Sequence, residues 1–69
     1  MRTLKLRSDY ITLGQLLKAM DFAQDGVDAK YRIQNGDASV NGEVELRRGR
    51  KLYDGDIVTI DGESVQVTK

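Results

Sequence analysis

Residues Ile11 to Met20 read ITLGQLLKAM, and the spacing of their apolar side chains decides the fold. Leu13, Leu16, Leu17 and Met20 recur at i, i+3, i+4 and i+7, which gathers them on one face of an α-helix. Thr12 is placed to cap the first turn, and Gln15 stands three residues later to complete a capping box. Ile11 before the cap and Leu16 after it have the spacing of a hydrophobic staple. Lys18 falls off the apolar face.

On the C-terminal side, DGVDAKYRIQNG, Asp25 to Gly36, reads as a second helix. Asp25 serves as its cap, Asp28 suits its positive end, and Gly36 supplies a left-handed stop. Ala29 and Ile33, four apart, face the core, and Lys30 and Gln34 point away from it. The small Ala29 lets the helices approach closely. On the N-terminal side, TLKLR alternates as a half-buried strand with Leu4 and Leu6 on one face. Past Gly36 the period becomes that of strands. Asn41-Gly42 marks a tight turn in SVNGEV, and Asp61-Gly62 joins DIVTI to SVQV, with Val58, Ile60, Val65 and Val67 on the inner face. RRGRKLYDG is expected to be a loop with an extended segment. The order is β-α-α-β-β-β, an α+β fold with a two-helix motif packed on a small, mainly antiparallel sheet. Leu13, Leu16, Leu17, Ala29, Ile33, Val40, Val58 and Val65 are the expected core.

Sixty-nine residues make one domain, 1–69, and a chain of this size buries only about 60% of its unfolded surface. It has no cysteine, so packing, caps and turns alone must hold it. No apolar run approaches the roughly 20 residues of a membrane span, and MRTLKLRSDY is too charged for a signal peptide, so the cytoplasm is the expected location. Histidine is also absent, which leaves Ser8, Ser39 and Ser64 without an activating base. Asp54 and Asp56 resemble the start of a calcium loop, but Val58 and Thr59 occupy its next acidic and glycine positions, and a turn is the better reading. The glycines lack phosphate-loop spacing. No catalysis, metal, cofactor or small-molecule substrate is expected.

Binding remains, and charge directs where to look. Eleven basic residues balance eleven acidic ones, yet RRGRK, Arg47 to Lys51, holds four of the positives. One reading is a solvated loop. The other is a site for a polyanion, which would relieve the self-repulsion of Arg47, Arg48, Arg50 and Lys51. Gly49 would let the chain turn so that these side chains converge, and arginine suits bidentate phosphate contact. Lys30 is either a solvated helix residue or a second contact, with Lys18 at the margin. Tyr31 either packs at the edge of the helix pair or stacks on a base.

The ordered set of motifs resembles the S-four RNA-binding domain, named after ribosomal small-subunit protein four, and its small stand-alone members of YaaA and YbcJ type. The resemblance lies in ITLGQLLK with Leu13, Leu16 and Leu17, in Ala29-Lys30, Ile33 and Gly36, in Val40-Asn41-Gly42, and in Gly55-Asp56 before a strand. It spans roughly residues 11–60. It implies a non-catalytic protein that binds structured ribosomal or transfer RNA in ribosome assembly or translation, with the ribosome or a ribosomal precursor among its partners. The RNA-binding residues so implied are Lys18, Lys30, Tyr31, Gln34, Arg47, Arg48, Arg50 and Lys51. Thr12 and Asp25-Gly26 depart from the pattern, since many members carry Arg and Ser-Arg at those places, and this shifts weight to RRGRK. Lys5 and Arg7 serve as a control set on the premise that the first strand faces away from the RNA. The alternative is a protein-interaction module docking on an acidic partner, and survival of the complex after ribonuclease treatment separates the two.

Overall fold

A computed structural model describes Met1 to Lys69. The elements are β1 (Arg2–Lys5), β2 (Ile11–Thr12), α1 (Leu13–Ala19), α2 (Gly26–Gln34), β3 (Ala38–Val40), β4 (Glu43–Val44), β5 (Lys51–Leu52), β6 (Ile57–Ile60) and β7 (Glu63–Thr68). Five strands form one sheet in the order β1-β7-β6-β3-β4, and β2 pairs with β5 in a separate two-stranded ribbon. The pairings are antiparallel except β1 with β7, which is parallel.

Both helices begin as their sequences require. The Thr12 hydroxyl accepts from the Gln15 amide while the Gln15 side chain accepts from the Thr12 amide. Asp25 accepts from the Asp28 amide, and the Asp28 carboxylate accepts from the Gln24 amide. Gly36 ends α2 at φ +85°, with its amide bonded to the Ile33 carbonyl and the Asp37 amide to that of Arg32. Helix α1 ends in the same way without glycine. Asp21 takes φ +63°, the Asp21 amide reaches the Lys18 carbonyl and the Phe22 amide reaches that of Leu17. The apolar stripe therefore stops one residue short of Met20, which becomes the half-buried C-cap. A short polar residue tolerates the left-handed region better than a branched one, so aspartate serves here.

The eight residues expected in the core are all buried, and Leu6, Phe22, Ala23, Ala38, Leu52, Ile60 and Val67 complete it. Asn41-Gly42 and Asp61-Gly62 both have positive φ at each position, the geometry of the tight turn that matches strand twist. The expected strand count was too low. SVNGEV divides at its turn into β3 and β4, and β2 and β5 are two-residue strands, too short to show a period. At its C-terminus α2 is tied to the β6–β7 turn. The Arg32 guanidinium bonds Asp61, Asp37 and the Phe22 carbonyl, and its pKa is raised chiefly by the hydrogen bond to Asp61. No helix is long and apolar enough to cross a membrane.

Candidate nucleic-acid interface

The basic loop is docked on the start of α1 by its backbone. The Leu13 amide donates to the Arg50 carbonyl at 2.9 Å and the Gly14 amide to the Arg48 carbonyl at 3.0 Å. With the Thr12 cap on Gln15, these bonds satisfy amides that a helix otherwise leaves free. The loop itself turns through the Arg50 amide and the Arg47 carbonyl, 3.2 Å apart. Gly49 sits in this turn with no positive φ, and a Cβ there would meet nothing within 4 Å. The sharp turn that glycine was expected to permit does not need glycine.

Four positive charges close in sequence are partly neutralised by a residue just outside them. Glu45 is buried, with its side chain only 10% exposed. Its carboxylate accepts from Arg47 at 3.0 and 3.1 Å, from the Arg47 amide at 3.1 Å and from Arg50 at 2.8 Å. The bonds from Arg47, then those from Arg50, hold its pKa at about 2 against the opposing effect of burial. Arg47 keeps 74% of its side chain exposed and Arg50 keeps 35%, but both guanidiniums are already engaged. Arg48 makes no ion pair. Lys51 holds its ammonium 4.9 Å from the centre of the Tyr10 ring, and Tyr10 lies 6.0 Å from Tyr53, ring to ring.

Between the loop and the helices runs a groove of about 290 Å³. Thr12, Gly14, Gln15 and Lys18 line it from the α1 side, Gly26 and Ala29 from α2, and Arg48 and Gly49 from the loop. Its charged residues are Lys18 and Arg48, with no carboxylate among its walls. Lys30 follows Gly26 by one turn and Gln34 by a second, both exposed, so they extend this side of α2. Tyr31, 66% exposed, borders a different depression with Arg32, Asn35 and Asp37. Of the residues singled out in the sequence, the structure thus brings Lys18 and Arg48 to one groove. It sets Lys51 beside Tyr10 and commits Arg47 and Arg50 to Glu45.

Sequence reasoning passed over Glu45 and treated Lys5 and Arg7 of the first strand only as a control set. The signal for Glu45 was weak, because the chain buries it while leaving Val44 and Leu46 exposed, against the usual apolar preference. Lys5 and Arg7, set apart in the sequence as a control, are not remote from Lys18. They line a further groove with Tyr10, Gln15 and Lys18.

Known proteins share this fold and much of this sequence. A family model for the S4 domain matches residues 4–68. The probable ribosome maturation protein RlbA of Bacillus subtilis is 46% identical over 59 residues, 86% of this chain and 83% of the relative. The putative RNA-binding protein YbcJ of Escherichia coli is 38% identical over 58 residues, 84% of this chain and 83% of the relative. The solution structure of YbcJ, described as revealing an αL motif involved in RNA binding, covers 100% of this chain and 89% of its own at 36% identity and a TM-score of 0.74. The match along nearly the whole length, in sequence and in fold, places the chain in the S4 domain family.

Proposed function

We propose that the chain is a non-catalytic RNA-binding protein of the cytoplasm that holds structured ribosomal RNA during ribosome maturation. The observation that carries this reading is the carboxylate-free groove in which Lys18 and Arg48 meet beside the docked basic loop. Lysine and arginine contact phosphates, and the shape of the groove selects among folded RNAs. Lys30 and Gln34 extend the contact along α2, Tyr31 offers an exposed ring on a neighbouring face of the same helix, and Arg47, Arg50 and Lys51 supply the surrounding field. The similarity to RlbA, a probable ribosome maturation protein, and to YbcJ, a putative RNA-binding protein, supports ribosomal RNA as the target.

The test is binding of the purified chain to fragments of ribosomal RNA precursor, with transfer RNA as the second arm. Replacing Lys18 and Arg48 together with glutamine should lower affinity for the preferred RNA by about tenfold or more and flatten the salt dependence by roughly 1.4, at about 0.7 per lost contact. Equal, weak binding to both RNAs that is indifferent to these substitutions would refute the reading. A partner that survives ribonuclease treatment would favour a protein-docking role.

A further inference from the structure

We infer that the groove on the β1 side of α1 is a second RNA contact, which takes an unpaired strand leaving the first groove. The inference rests on the RNA-binding reading above and extends it to a surface of its own. The space is about 660 Å³. Lys5 and Arg7 line it from the β1 side and Lys18 from α1, with Tyr10, Leu6 and Ile11 among its less polar walls. No carboxylate lines it, and none of Lys5, Arg7 and Lys18 is in an ion pair, since the paired cations of the chain are Arg32, Arg47, Arg50 and Lys69.

Three properties together identify the occupant. Gln15 and Lys18 border both grooves, so a chain of phosphates can cross the exposed side of α1 past a lysine and no carboxylate. The volume falls in the range of sites that enclose a small ligand, which suits nucleotides of one strand and leaves a duplex on the rim. Cations beside an apolar floor and an aromatic ring match a nucleotide, whose charge lies on one side and whose base on the other. Tyr10 is 40% exposed, and the Lys51 ammonium over its ring fixes it at the border of the two-stranded ribbon. Lys5 on a sheet edge also discourages pairing with another sheet, but that role would leave RNA affinity unmoved.

Two probes separate this inference from the reading beneath it: a labelled hairpin from the bound ribosomal RNA fragment, and the same hairpin with five unpaired uridines at each end. The wild-type chain should bind the extended RNA roughly five- to tenfold more tightly, the value of about one stacked base. Lys5→Gln with Arg7→Gln should erase that gain and reduce the salt slope on the extended RNA by about 1.4, while binding the bare hairpin as before. Tyr10→Leu should lose much of the gain with the slope unchanged. Lys18→Gln with Arg48→Gln should weaken both RNAs. If the Lys5 and Arg7 variant treats both probes as the wild type does, or weakens both equally, the second groove is not a contact although the first still is. If the wild type binds neither probe, the reading beneath fails and this inference with it.

Discussion

The Gly14 amide donates a 3.0 Å hydrogen bond to the Arg48 carbonyl, so the backbone of the one loop arginine without an ion pair is fixed to α1 while its side chain stays exposed. A Cβ at Gly14 would stand 3.5 Å from the Arg48 carbonyl oxygen and 3.6 Å from its Cβ, ordinary contact distances. Gly14→Ala should therefore keep the bond and raise stability by about 0.5–1 kcal/mol through helix propensity. Urea unfolding gives the stability. A lower unfolding midpoint would show that the loop and helix are more tightly apposed than these distances indicate.

Arg47 and Arg48 are neighbours with different commitments. Arg47 gives its guanidinium to Glu45, and Arg48 gives its own to nothing. Arg48→Gln should therefore cost more RNA affinity than Arg47→Gln, by roughly three- to tenfold, with a salt slope smaller by about 0.7. Titrations at several salt concentrations measure both. Identical losses would mean that the loop acts only through its summed charge.

Gly49 lines the first groove, has an ordinary φ, and would meet nothing with an added Cβ. Gly49→Leu should leave the melting temperature within a few degrees of wild type, as surface substitutions usually do, and weaken RNA binding by filling the groove. Unchanged affinity with an unchanged fold would move the RNA off this face of the loop.

Much of the fold was legible because its signals are local. A cap side chain acts three residues away, and a two-residue turn declares itself in Asn-Gly or Asp-Gly, so both helix starts and both hairpins could be read directly. What was not legible depends on distance or on inverted preference. The parallel pairing of Arg2 with Val65 has no local sign. Asp21 stops α1 in a conformation usually given to glycine. At the site, the basic loop stood out by charge, with Lys18 placed only at its margin. Glu45, which engages two of those charges, follows an exposed valine and precedes an exposed leucine, so alternation pointed the wrong way. The position of Lys5 and Arg7 beside Lys18 needed the packing of β1 near α1, which no spacing within either segment conveys.

Acid should loosen the molecule in a defined window. Glu45 titrates at about 2 in the folded chain, against an ordinary 4.5, because Arg47 and Arg50 donate to it, and Asp61 is lowered chiefly by its bond from Arg32. A depressed acid contributes stability that is fully present above its unfolded pKa and is lost as pH falls through its folded pKa. Melting temperature should be level from pH 7 to about 5 and decline between about 4.5 and 2. Glu45→Gln should start lower at pH 7 and decline less. Parallel curves for the two proteins, followed by circular dichroism, would remove Glu45 from the account.

Strand β1 hydrogen-bonds only to β7, and Leu6 extends the pairing through its amide to the Thr68 carbonyl at 2.7 Å. Synthesis proceeds from the other end, so the first strand made waits for the last. The helices, the docked loop and the β3–β6 pairing can all form before β7 exists. The strand that carries Lys5 cannot be anchored until β7 is free to fold, a non-local step of the kind that slows folding. A nascent chain would thus present the first groove before the second, and the basic track across α1 would appear only once β7 has joined the sheet.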